Sequence, residues 1–190
     1  MKRILILSGR QGSGKTSNTK GVADLARAEG FTPVFFKFAD VIYEMHNACL
    51  PVLKKFGIRP DDMVKDGELL QVLGTEYGRN RISRDVWAKA CRRNIDHFLM
   101  AYSNPGLAVI DDCRFENEFD LFPDAFKVRL DCAEDVRKAR CSYWREDTAH
   151  PSETGLDDYE RRGKFDLKWN TEYATRDVVS AGIWEGWKNS

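Results

Sequence analysis

An open α/β domain built on a mainly parallel five-stranded sheet is the fold this sequence predicts, and three observations carry it. Short apolar runs alternate with stretches of helical periodicity, the order that builds a parallel sheet covered on both faces. The first apolar run leads straight into a glycine-rich loop that opens a helical pattern. The 190 residues, 42% hydrophobic and 32% charged, suit one compact domain with a buried core.

Taken in order, residues 4–7 are isoleucines and leucines ending at Ser8-Gly9, which suits a strand buried on both faces. From Lys15 the residues Val22, Leu25 and Ala26 recur at helical spacing, and Gly30 stops that helix before a second strand at 34–38. Asp40 caps a helix through Val41, Ile42, Met45, Ala48 and Cys49, which Pro51 is expected to bend or end. A loop over 57–66 follows. Leu69, Leu70 and Leu73 restart a helical pattern that breaks over 74–78 and resumes through Val86, Trp87, Ala90, Ile95, Phe98 and Leu99. Asn104-Pro105-Gly106 turns the chain into a strand at 107–110, which runs into Asp111-Asp112. A strand at 126–130 and a helix at 134–141 come next. The polar stretch 143–163 reads as an ordered loop or lid, 165–169 as a fifth strand, and Val178, Val179, Ile183 and Trp187 are spaced for a terminal helix that Gly182 weakens.

Thirty Lys plus Arg balance thirty Asp plus Glu, so non-specific adhesion to nucleic acid or membrane is not the expected behaviour. The five cysteines form no C-x-x-C pair, which argues for a reduced, cytoplasmic setting. No apolar run approaches the roughly 18 residues that span a bilayer. The opening MKRILILSG is read as a strand, since its apolar run ends after four residues.

Residues 9–16, GRQGSGKT, fit G-x-x-x-x-G-K-[ST] between a predicted strand and a predicted helix, the context this phosphate-binding loop (P-loop) requires. Backbone N–H groups of Gly9, Gln11, Gly12, Ser13 and Gly14 are expected to wrap a phosphate, with Ser17 in the first helical turn. Lys15 would neutralise the β- and γ-oxygens of ATP, and the Thr16 hydroxyl would ligate Mg²⁺. The acidic end of strand 107–110 places a carboxylate near the metal, Asp112 as first choice and Asp111 as second.

Further motifs come in a fixed order: Phe38-Ala39-Asp40, then residues 70–79 (LQVLGTEYGR), 112–118 (DCRFENE) and His150-Pro151-Ser152-Glu153. Together with the phosphate loop, over about residues 3–170, they resemble the bacteriophage deoxynucleoside monophosphate kinase family. The resemblance implies a three-layer P-loop kinase fold in a single domain, with a helical acceptor-binding region at about 40–104 and a lid at about 137–163. It also implies transfer of the ATP γ-phosphate to the 5′-phosphate of a deoxynucleoside monophosphate. Arg79 and Arg114 are then the candidates for the acceptor phosphate, because a guanidinium binds it bidentately. Arg137 and Arg140, one helical turn apart, and Arg145 would approach the transferring group as the lid closes. Phe38, Tyr77 and Trp87 are candidates to wall the base; Asp40, Gln71 and Glu76 would bond its edge, and Thr75, His150 and Glu153 come with the matched motifs.

Two other functions fit the residues. A P-loop kinase acting on the hydroxymethyl group of 5-hydroxymethyluracil in phage DNA would use a basic patch of Arg79, Arg81, Arg84, Arg92 and Arg93. A non-catalytic module switched by nucleotide needs only the phosphate loop. Trp184 and Trp187 on the terminal helix suit either a homodimer interface or an intramolecular cap.

Overall fold

The computed structural model describes residues 3–101, 105–141, 144 and 154–190. His150, Pro151, Ser152, Glu153 and Arg145, with the middle of the expected lid, lie outside the described residues. Five parallel strands form one sheet in the order β2-β3-β1-β4-β5: β1 Ile4–Ser8, β2 Thr32–Phe36, β3 Gly106–Ile110, β4 Ala125–Asp131 and β5 Leu167–Asn170. The chain leaves β1 for the edge strand β2, returns through β3, and then crosses to β4 on the other side of β1. Loops at the carboxyl ends of β1 and β3 therefore meet in the crevice where an α/β sheet takes its ligands.

Period-2 alternation in β1 sorts its side chains between two cores. Ile4 and Ile6 pack with Ala108 and Ile110 beneath α4 (Val86–Ala101), joined by Cys91, Ile95 and Phe119. Leu5 and Leu7 pack with Leu107, Val109, Val128 and Leu130 against α1 (Lys15–Ala28) and the C-terminal helix α8 (Arg176–Lys188). Trp184 and Trp187 are buried in this second core, stacked on each other with Phe31 edge-on to both, so within the chain they act as a cap.

Four elements differ from their predicted extents. β2 runs over 32–36 instead of 34–38, because the Asp112 carboxylate takes the backbone N–H groups of Phe38 and Ala39 and ends the strand there. Helix α2 (Asp40–Lys55) continues through Pro51, which forfeits one backbone bond without terminating it. The predicted break over 74–78 is a π-helix, Val72–Ile82, entered directly from α3 (Gly67–Gln71) and closed by a Ser83 N–H to Gly78 carbonyl bond. Trp87 fixes this wide coil: its indole N–H donates to the Gly74 carbonyl at 2.7 Å, and its ring fills the space that any Cβ on Gly78 would need. Finally, part of the polar stretch belongs to the core. Helix α7 (Asp157–Arg161) buries Tyr159, stacked on Phe119, with Leu156 just before it. The remaining short helices are α5 (Glu116–Asp120) and α6 (Glu134–Arg140).

Candidate active site

Between β1 and α1 the backbone turns around a cradle. Gly12 and Gly14 adopt positive φ, 79° and 87°, which L side chains rarely adopt, and a Cβ on Gly12 would stand 2.7 Å from the Arg137 carbonyl. Lys15 lies across this loop, its Nζ donating to the carbonyls of Gly9 at 2.5 Å and Arg10 at 2.9 Å. The Thr16 hydroxyl donates to Asp111 Oδ2 at 3.1 Å, tying the start of α1 to the end of β3. Ser17 bonds back to the Gly14 carbonyl, and Ser13 is buried beneath the loop. Gly9, Gln11, Gly12, Lys15 and Thr16 line a cleft of about 440 Å³ together with Lys37, Tyr43, Lys65 and Arg114 and the carboxylates Asp111 and Asp112.

The two aspartates at the end of β3 differ. Asp111 faces Thr16, whereas Asp112 accepts N–H bonds from Phe38 at 3.1 Å and Ala39 at 3.2 Å. Burial pushes the Asp112 carboxyl up to about 7 against the opposing pull of those bonds, with Glu118 and Asp111 adding to the rise. Of the two candidates, both of which line the cleft, Asp112, the first choice from sequence, bonds the β2–α2 turn, while Asp111, the second choice, forms the hydroxyl-carboxylate pair with Thr16. This pair of hard oxygen donors beside Lys15 fits Mg²⁺, an ion that keeps several waters and substrate oxygens in its shell. Among the described residues there is no group of three or more His, Cys, Asp or Glu placed to hold a metal by themselves.

A second cleft, about 810 Å³, is lined by Ile42, Gln71, Thr75, Arg79, Arg84 and Asn117 among others, and it shares Arg114 with the first. Glu118, buried, organises the junction. One carboxylate oxygen accepts from Arg79 at 2.8 Å, and the other accepts the backbone N–H groups of Arg114 at 2.8 Å and Phe115 at 3.1 Å. The Arg79 guanidinium also lies over the Phe115 ring, 4.6 Å from its centre. Glu118 stood only as a letter in a matched motif, and its role required knowing that α5 folds back over the β3 end.

Several expected site residues lie elsewhere. Phe38 and Trp87 are core residues, Phe38 against Phe122 and Trp87 against Gly78. Asp40 caps a local turn by accepting the Lys37 N–H. Glu76 and Tyr77 are exposed on the outer face of the π-helix. Arg137 is buried and donates to the carbonyls of Cys132 and Gln11, bracing the phosphate loop from behind. Arg140 is tied to the Thr171 carbonyl and hydroxyl. Neither arginine lines the cleft at Lys15. The proposed basic patch is divided as well: Arg79 and Arg84 face the acceptor-side cleft, while Arg92 and Arg93 line a separate groove on α4, where Arg92 pairs with Asp96 and Asp124.

No protein-family model matches the chain. Over 137 residues it is 25% identical to the deoxynucleoside-5′-monophosphate kinase of Escherichia phage T5, a stretch covering 65% of this chain and 52% of that protein. The match thus spans about half the relative's length. The fold is similar to TT1252 of Thermus thermophilus (16% identity, 95% and 94% of the two chains, TM-score 0.58). It is also similar to the Mycobacterium tuberculosis APS kinase (13%, 98% and 98%, 0.55) and the shikimate kinase of Acinetobacter baumannii (12%, 97% and 92%, 0.52). The fold is that of the P-loop kinases.

Proposed function

We propose that the chain is a phosphotransferase that moves the ATP γ-phosphate to the 5′-phosphate of a deoxynucleoside monophosphate. The observation that carries this reading is the junction at Arg114, which lines both the phosphate cradle and a second cleft of about 810 Å³, a volume that admits a nucleoside. The sequence similarity to a phage enzyme of that activity supports the same acceptor class.

On this reading the loop N–H groups and the α1 N-terminus bind the ATP phosphates, and Lys15 exchanges its carbonyl partners for β- and γ-oxygens. Thr16 and Asp111 would hold Mg²⁺, which would supply positive charge against the ATP phosphates. Arg114 and Arg79 bring in the acceptor, with Gln71 and Thr75 beside its base. An oxygen of the acceptor phosphate forms the new P–O bond as the γ-phosphorus separates from its bridging oxygen, and ADP leaves with that electron pair. Cations around the equatorial oxygens suffice for this chemistry, and no nucleophilic side chain is needed. Cys113 is buried, which pushes its thiol well above the ordinary range and leaves it inert.

A coupled ADP-release assay with Mg²⁺-ATP tests the proposal against the four deoxynucleoside monophosphates, their hydroxymethylated forms and hydroxymethyluracil-containing DNA. Turnover with free monophosphates is expected. Turnover with the DNA alone, or with no acceptor, contradicts it.

A further inference from the structure

The loop over 57–66 carried no functional signal in the sequence, yet it is among the most firmly pinned segments of the acceptor side. Asp66 is buried and has partners on three sides. Its Oδ2 takes Arg59 at 2.5 Å, its Oδ1 takes the Leu69 N–H at 3.0 Å, and its own N–H donates to His46 Nε2 at 2.9 Å. His46 is itself buried on α2, with Nδ1 2.9 Å from the side-chain oxygen of Asn47. Those bonds hold the Asp66 carboxyl below its ordinary value, the Leu69 N–H first and Arg59 next. Such a network fixes the backbone of the residue just before Asp66, and that residue is Lys65.

Lys65 points into the phosphate cleft, its Nζ over the Tyr43 ring at 5.5 Å from the centre, and Lys37 joins it on the same wall. Among the described residues neither lysine is within ion-pair distance of a carboxylate. Arg59, Arg79 and Arg92 on the same side of the molecule are all paired. Two ammonium groups that line the same cleft as Lys15, one of them beside a buried network that holds its backbone in place, make an anion subsite open to a ligand.

We infer that Lys65, seated on Tyr43 and supported by Lys37, binds the phosphate dianion of the acceptor across the cleft from the phosphate loop. The inference rests on the kinase reading above and adds a residue to it. Lys37 and Lys65 stand just before α2 and α3, the helices that supply Ile42, Leu70 and Gln71 to the second cleft, so their partner is the acceptor phosphate and not ATP. The subsite selects acceptors ending in a monoester phosphate over those offering a bare hydroxyl.

Initial-rate kinetics on Lys65→Met and Lys65→Arg test this. Lys65→Met is expected to raise the acceptor KM roughly 10- to 100-fold, equally for every base accepted, with the ATP KM within about twofold. Lys65→Arg keeps the charge and should stay within about threefold of the wild type. A Lys65→Met acceptor KM within twofold of wild type overturns the inference and leaves the kinase reading standing, as does a loss confined to ATP or one that differs among bases. No turnover by the wild-type chain with any monophosphate overturns the kinase reading and this subsite with it. A Tm within a few degrees of wild type for both variants separates lost charge from lost fold.

Discussion

The two flanks of the phosphate loop carry similar cations and use them differently. On the β4 flank, Arg129 is only 4% exposed and pairs with Asp131, Asp157 and Glu160, Arg10 pairs with Asp157 at 2.9 Å, and Arg137 donates to backbone carbonyls. Lys127, beside them, is buried against Tyr159 and Phe119. On the β2 flank, Lys37 and Lys65 line the cleft, neither ammonium within ion-pair distance of a carboxylate among the described residues, and Arg79 is held by Glu118 with its stacked face on Phe115. A paired, buried arginine holds α7 and the loop to the sheet; a cation left open at a cleft wall is available to a ligand. Residue type alone does not separate these roles, and partners do.

The sharpest break would come at the loop shared by both flanks. Lys15→Ala should lower turnover by about 10³-fold or more with the fold intact, read from ADP release and Tm; near-normal activity would remove the phosphate cradle from the chemistry. Next in size is the paired flank. Arg129→Met removes the buried partner of Asp131, Asp157 and Glu160, and because those groups are partly exposed and Asp157 keeps Arg10 and Glu160 keeps Lys168, the cost should sit near the low end for a broken buried pair, about 3 kcal/mol. That corresponds to a Tm lowered by roughly 6–12 °C, with the acceptor KM unchanged. An altered acceptor KM at wild-type Tm would invert the comparison.

Gly78→Ala puts a methyl group inside the Trp87 indole and should cost about 1–3 kcal/mol while loosening the acceptor-side cleft, seen as a lower Tm with a raised acceptor KM. The smallest effect concerns Asp112. Its folded value near 7 stands above the ordinary 3.8, so between those pH values the folded chain keeps a proton that the unfolded chain releases. The stability it contributes is therefore full below about pH 4 and lost as pH rises through 7. In metal-free buffer the fall in Tm from pH 5 to 8 should shrink in Asp112→Asn, and an unchanged slope would refute the buried neutral carboxyl.

Much of the frame was legible because it rests on local pattern. The strand-loop-helix setting of residues 9–16 fixed the cradle, and apolar runs located all five strands to within a few residues. What escaped was tertiary. The aromatic residues Phe38 and Trp87 carry the same letters whether they stack on a base or fill a core, and only packing puts them in the core. Adjacent aspartates at a strand end point to opposite sides, so the choice between Asp111 and Asp112 depended on which side Thr16 would reach. Arg137 reads as a lid arginine that reaches the transferring group, and only the folded chain shows the Cys132 and Gln11 carbonyls taking its guanidinium. Lys65 gave no signal because its setting comes from Asp66, Arg59 and His46, up to 20 residues apart in the chain.

The most direct test of an acceptor site built for a phosphate is a matched pair of reactions with Mg²⁺-ATP, one containing a deoxynucleoside monophosphate and the other the same deoxynucleoside without its phosphate, both followed by ³¹P NMR. The expected result is a deoxynucleoside diphosphate and ADP in the first tube and intact ATP in the second. Phosphorylation of the free deoxynucleoside with the monophosphate left untouched would contradict the assignment of the open cations to an acceptor phosphate.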